Sequence, residues 1–199
     1  MGGKTLVVAT RNEHKLRELG EIVTGVELEP LPPDVELPPE DRASFAENAL
    51  IKAREARRAT GITAIADDSG IEARALGGAP GVRSARFAGP EATDEQNLSK
   101  LLRELDHGDD RAVAYVCVIA HVDEHDDEAL FEGRCEGTLA REPRGSGGFG
   151  YDPAFVPDDT GPDDDRTMAE LSAEEKHAIS HRGRAARRLA EYLSRRNGE

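Results

Sequence analysis

Ile65-Ala66-Asp67-Asp68-Ser69-Gly70 closes a short apolar run that begins at Ile62. The run is short and continuous, so it reads as a buried strand ending in a polar turn. In α/β folds such turns are where ligands bind. Adjacent aspartates repel one another. A divalent cation is the commonest reason for them to sit together, because hard carboxylate oxygens suit Mg²⁺. The plainer alternative is a solvated turn, in which Asp, Ser and Gly are favoured anyway.

Working outward, the strand has partners on both sides. Thr5 to Ala9 reads as a second short buried strand, and Asn12 can cap a helix whose face is Leu16, Leu19, Ile22 and Val23. Glu29 to Arg42, rich in proline and acid, reads as a loop. Ser44 and Glu47 have capping-box spacing for a helix that runs to about Ala59, with Gly61 behind it. Further on, Leu76 to Gly81 is a glycine-rich turn, and Thr93 with Gln96 opens another helix to about Leu105. Val113–Val122 and Ala129–Thr138 form an antiparallel hairpin. Gly145 to Asp152 is a second glycine-rich loop, Pro157 to Arg166 an acidic one, and Ser172 to Arg196 is helical in two pieces. A βαβ beginning with antiparallel strands later predicts an α/β domain with a mixed sheet, and no linker divides it.

With 199 residues, of which 37% are hydrophobic, the chain can build one proper core. No apolar run reaches the length of a membrane span, and no signal-like segment precedes Thr5, so a cytoplasmic protein is expected. Cys117 and Cys135 sit in strand-like settings and are expected to be reduced and structural; no spacing calls for zinc. The net charge is −14, and only five of the 26 basic residues are lysine. Such an acidic chain disfavours nucleic acid as a partner and suits a cytoplasm of very high salt, as in a halophile.

Four stretches offer chemistry. Thr10-Arg11-Asn12-Glu13-His14-Lys15 joins a strand to a helix, where backbone N–H groups can hold an anion and Lys15 adds charge; the bland reading is an ordinary Asn cap. Glu47 lies in a helix with Lys52. It is either a capping residue or a metal ligand facing Asp68, and Lys52 sits roughly 140° further round the axis, so spacing does not prove one site. Gly145-Ser146-Gly147-Gly148-Phe149-Gly150-Tyr151-Asp152 brings backbone close to a ligand, stacks an aromatic on a flat ring, and offers Asp152 to ring N–H groups. In Lys176 to Arg184, the pair His177 and His181 has i,i+4 spacing, but no third ligand is nearby. Arg182 and Lys176 better suit anionic or carbonyl oxygens.

The succession TRNEHK, SFAENALIKA, IADDSG, LGGAPG, SGGFGYDP, MAELSAEEKHAISHR resembles the Ham1 family of inosine/xanthosine triphosphate pyrophosphatases, from Val7 to about Leu193. The resemblance implies an ITPase/Maf-like fold: an elongated mixed β-sheet flanked by helices, in two lobes around a central cleft. It also implies Mg²⁺-dependent hydrolysis of ITP, dITP and XTP to monophosphate and pyrophosphate by a homodimer. On that resemblance Thr10, Asn12, Lys15, Lys52 and Ser69 hold the triphosphate. Arg11, which stands where bacterial relatives often have glycine, adds charge beside it. Glu47 and Asp68 are metal ligands, with Asp68 the general base. Phe149, Gly150, Tyr151 and Asp152, with Lys176, His181 and Arg182, form the base and ribose site. The rivals are a pyrophosphatase for modified pyrimidine triphosphates and a non-catalytic nucleotide- or RNA-binding module; the acidic total charge speaks against the second.

Overall fold

The computed structural model describes residues 5–106, 108 and 110–197, with the side chains of Glu13, His14 and Asn197 outside that description. Helices flank a single six-stranded sheet. Its strands are β1 (Thr5–Val8), β2 (Glu27–Pro30), β3 (Ala64–Ala73), β4 (Ala112–Val122), β5 (Glu128–Leu139) and β6 (Phe155–Pro157), in the order β2-β1-β3-β4-β5-β6. Strand β1 runs parallel to β2 and β3, with Val7 opposite Ala64 and Val8 opposite Ile65, whereas β6 runs antiparallel to β5. The sheet is therefore mixed, as the sequence predicts.

The chain forms two compact units. The first holds the described residues up to Asp68, Cys117–Gly133, and those from Arg182 onward; the second holds Ser69–Val116 and Arg134–His181.

In the first unit the two-residue period of the strands divides the apolar side chains cleanly. Leu6, Val8, Ile65, Cys117 and Ile119 cluster with Leu19 and Val23, at and just beyond the end of α1 (Glu13–Ile22), and with Ala185, Ala186 and Leu189 of α5 (His181–Asn197). Val7, Ala9, Ala64, Ala66, Ala120 and Val122 cluster instead with Ala49, Ala53 and Ala56 of α2 (Phe45–Thr60). The alanine face of α2 lets that helix approach the sheet closely. Its start is fixed by Ser44, whose hydroxyl accepts from the Glu47 N–H, and its end by Gly61 in the left-handed conformation.

In the second unit, Leu98 and Leu101 of α3 (Asp94–Glu104), followed by Leu105, pack on Ile71, Ala73, Val113, Tyr115, Leu139, Phe155 and Met168. Helix α3 opens with the Thr93–Gln96 capping box, and α4 (Ala173–Ile179) with a Ser172–Glu175 box. Ser180 is extended and separates α4 from α5.

Three readings change. Strand β3 does not turn at Asp67; it runs on to Ala73, because Ile71 and Ala73 are themselves core residues of the second unit. The proline-rich loop is preceded by β2, and the acidic loop after Pro157 by β6; both strands are short and lie at the sheet edges.

Candidate active site

The continuation of β3 decides the chemistry of Asp67 and Asp68. Successive residues of a strand point to opposite faces. Asp67 continues the face of Ile65, toward α1 and α5, and Asp68 continues that of Ala64 and Ala66, toward α2. Each aspartate therefore meets a different set of partners.

Asp67 is 2% exposed. Lys15 Nζ of α1 lies 2.8 Å from its Oδ2, and Arg182 Nε at the start of α5 lies 3.5 Å from the same oxygen. Burial alone would raise its pKa, but the charges of Lys15, Arg182 and Lys52 hold the carboxyl well below the usual carboxylate range. Lys15 is raised in turn: burial disfavours its charge, and Asp67 more than offsets that. Arg182 also donates to Glu18 Oε2 at 2.5 Å. A cation answers the first aspartate, as its sequence demands, but the cations are side chains.

Asp68, 6% exposed, accepts a 2.9 Å hydrogen bond from Asn48 Nδ2 of α2. Burial raises its pKa; Asn48 opposes this and the charge of Glu40 adds to it. Glu40 comes from the proline-rich loop and is ion-paired with Lys52 Nζ, which also donates to the Asp67 carbonyl at 2.6 Å. Lys52 thus reaches the aspartate pair from α2. Glu47 is exposed, and its Oε2 accepts from Ser44 Oγ at 2.9 Å. The second carboxylate acting on Asp68 is therefore Glu40, from a segment that reads only as a loop.

In the remainder of the first loop, Thr10 Oγ1 accepts from the Asn12 N–H at 3.1 Å, and Asn12 Oδ1 from the Lys15 N–H at 3.3 Å, so Asn12 caps α1 as expected. Arg11 turns one nitrogen to the proline-rich loop. Its guanidinium donates to the carbonyls of Val35 (2.7 Å) and Pro33 (3.2 Å) and ties down the proline-rich loop. Glu13 and His14, also expected to bind substrate, have side chains outside the described residues. Ser69 follows Asp68 on β3, half-buried.

The second unit carries a separate constellation. Asp152, 4% exposed, accepts on one oxygen from the Tyr115 hydroxyl (3.0 Å) and on the other from the Phe149 N–H (2.9 Å) and Lys176 Nζ (2.6 Å). These three bonds make it the organiser of the loop. Lys176 Nζ also lies 5.1 Å from the Phe149 ring centre, and that ring is 49% exposed, rare for so large an apolar group. The Gly150 N–H is held by Asp94 (2.8 Å) and the Tyr151 hydroxyl by the Ser84 carbonyl (2.7 Å). Gly148 is required: it has φ +73°, and a Cβ there would stand 2.1 Å from Asp152 Oδ2. His181 stacks on Tyr115 at 4.7 Å between ring centres. The break at Ser180 removes the i,i+4 geometry from His177 and His181. Arg182, expected with Lys176 at the base, is ion-paired with Glu18 and Asp67.

Among the described residues no group of three or more His, Cys, Asp or Glu is placed to hold a metal ion. A cavity of about 440 Å³ in the first unit, lined by residues including Leu6, Val26, Ile62, His121 and Leu193, contains none of the candidate residues.

The chain is thus an α/β protein whose first unit buries two aspartates of β3 beside Lys15, Lys52 and Arg182, and whose second presents an aromatic ring from a glycine-rich loop. The sequence profile of the Ham1 family matches residues 6–192, and the chain belongs to that family. It is 44% identical to the dITP/XTP pyrophosphatase of Coxiella burnetii over 95% of this chain and 96% of that one. It is 48% identical to the dITP/XTP pyrophosphatase of Mycolicibacterium paratuberculosis, over 97% and 98%. Among solved structures, the HAM1 protein from Coxiella burnetii matches with a TM-score of 0.88 at 42% identity, covering 96% of this chain and 99% of that one. The Staphylococcus aureus Ham1 protein matches at 0.87 and 39%, covering 96% and 98%.

Proposed function

We propose that this chain is a nucleoside triphosphate pyrophosphatase. It hydrolyses deaminated purine nucleoside triphosphates (ITP, dITP and XTP) to the monophosphate and pyrophosphate with the help of Mg²⁺. The observation that carries this reading is Asp68: a buried carboxylate with a raised pKa, supported by one amide and set near a second carboxylate, Glu40, in a family whose relatives bear the name dITP/XTP pyrophosphatase. A buried carboxylate favours a hard divalent cation, and Lys52 is already paired with Glu40, whose side chain is 40% exposed. Asp68 and Glu47 are the residues we assign to Mg²⁺; in this structure Glu47 accepts from the Ser44 hydroxyl, and Glu40 is paired with Lys52. When bound, the ion supplies positive charge to the phosphate oxygens and to the leaving pyrophosphate.

Thr10, Asn12, Lys15, Lys52 and Ser69 take the triphosphate. Asp68 accepts the proton of the water that attacks the α-phosphorus, its carboxylate oriented by the Asn48 amide. Phe149 stacks on the purine, and Lys176, held by Asp152, donates to the 6-oxo group. Adenine shows an amino group at that edge and would set donor against donor, at a cost of about 1–3 kcal/mol. His181 borders the ribose. The family likeness supports a homodimer, and the substrates belong to the cytoplasmic nucleotide pool. The acidic, lysine-poor composition supports a halophilic setting.

The test is incubation with ITP, XTP, GTP and ATP, with and without Mg²⁺ in high KCl, measuring pyrophosphate and phosphate separately. Pyrophosphate from ITP and XTP, with little from GTP or ATP, is expected. Phosphate release, or no turnover of any purine, overturns the reading.

A further inference from the structure

Tyr115 is a buried residue of β4 in the second unit, 7% exposed, and its ring packs on Phe155 as a core residue would. A phenylalanine would fill that space equally well, so the hydroxyl needs its own account. It donates to Asp152 Oδ1 at 3.0 Å. The other oxygen of the same carboxylate receives the Phe149 N–H and the Lys176 ammonium. The Tyr115 ring also stacks almost parallel on His181, with 9° between the planes. One side chain therefore touches the carboxylate that orients Phe149 and Lys176, and the imidazole at the start of the last helix. Burial and the adjacent carboxylate push the phenol well above its ordinary pKa, so it remains a donor.

We infer that Tyr115 is a positioning residue for purine recognition: its hydroxyl fixes Asp152, and through it the aim of Lys176 and Phe149, while its ring sets His181. The inference rests on the reading of the glycine-rich loop and Lys176 as the base site. Without the hydroxyl, Asp152 Oδ1 is a buried carboxylate oxygen lacking its donor, and the carboxylate turns to find one. The loop then loses its register against Lys176, and the phosphate-binding residues of the first unit are untouched.

Tyr115→Phe keeps the ring, the packing on Phe155 and the stack on His181, so the fold is retained. The experiment compares this variant with the unaltered protein by calorimetric titration with IMP, which carries the base, and with pyrophosphate, which does not. Amide hydrogen exchange at Phe149 is followed in the free protein. Weakening of IMP binding by about tenfold, with pyrophosphate binding unchanged and faster exchange at Phe149, is expected. Unchanged IMP binding, or equal weakening of both ligands, overturns the inference, the second by showing a merely structural role. If the unaltered protein binds neither ligand, the proposed function fails instead. Exchange at Phe149 then decides alone whether Tyr115 positions the loop, and an unchanged rate overturns it.

Discussion

Asp67 and Asp68 share a peptide bond and have opposite electrostatics. Asp67 is held below the usual carboxylate range by Lys15 and Arg182, so its ionised form stabilises the fold. Asp67→Asn leaves Lys15 without its counter-charge, while Arg182 keeps Glu18, and should cost about 2–3 kcal/mol at neutral pH. A depressed pKa contributes stability above the unfolded value, and that stability is lost as pH falls through the folded one. The gap between the two proteins in thermal melts should therefore narrow in acid. Asp68 is raised by burial, so its ionised form is a burden to the fold. Asp68→Asn should leave the melting temperature unchanged or higher while turnover falls by about 10²–10⁴-fold; a near-normal rate removes Asp68 from the mechanism. Gly148→Ala, whose Cβ would stand 2.1 Å from Asp152 Oδ2 and 3.0 Å from Lys176 Nζ, should raise KM for ITP with little change in kcat. Steady-state kinetics checks both variants. The burial of Asp68 was readable from the apolar run that precedes it. The fate of Asp67 was not, because it depends on the strand continuing and on which helices cover each face.

Helix α2 is the element on which the first unit's chemistry leans, since it brings Asn48 and Lys52 to the aspartates from an alanine-faced cylinder. Its cap was legible because Ser44 and Glu47 have the spacing that local hydrogen bonding requires. Ser44→Ala should lower stability by about 1 kcal/mol, read as the shift in the urea midpoint. The break between α4 and α5 was also legible. Strands β2 and β6 were not: Glu27-Leu28-Glu29-Pro30 carries the charge and proline typical of a sheet edge, and such a segment looks like loop until its neighbour is known. Glu40 was hidden for the same kind of reason. Nothing in a proline-rich acidic stretch marks the one carboxylate that the fold returns to Lys52 and Asp68.

At the scale of the molecule, a net charge of −14 makes self-repulsion a standing cost to compactness. Raising KCl from low to molar concentration should raise the melting temperature, and a melting curve indifferent to salt rejects the halophilic reading. The units themselves are interleaved along the chain: the first closes only with Arg182 and the residues after it, whereas the second is complete at His181. Leu6, Val8 and Ile65, made early, share their core with Ala185, Ala186 and Leu189 of α5. Until that last helix is made, those strands wait with one apolar face uncovered. That interval, rather than the finished protein, is when a nascent chain of this design most needs a chaperone.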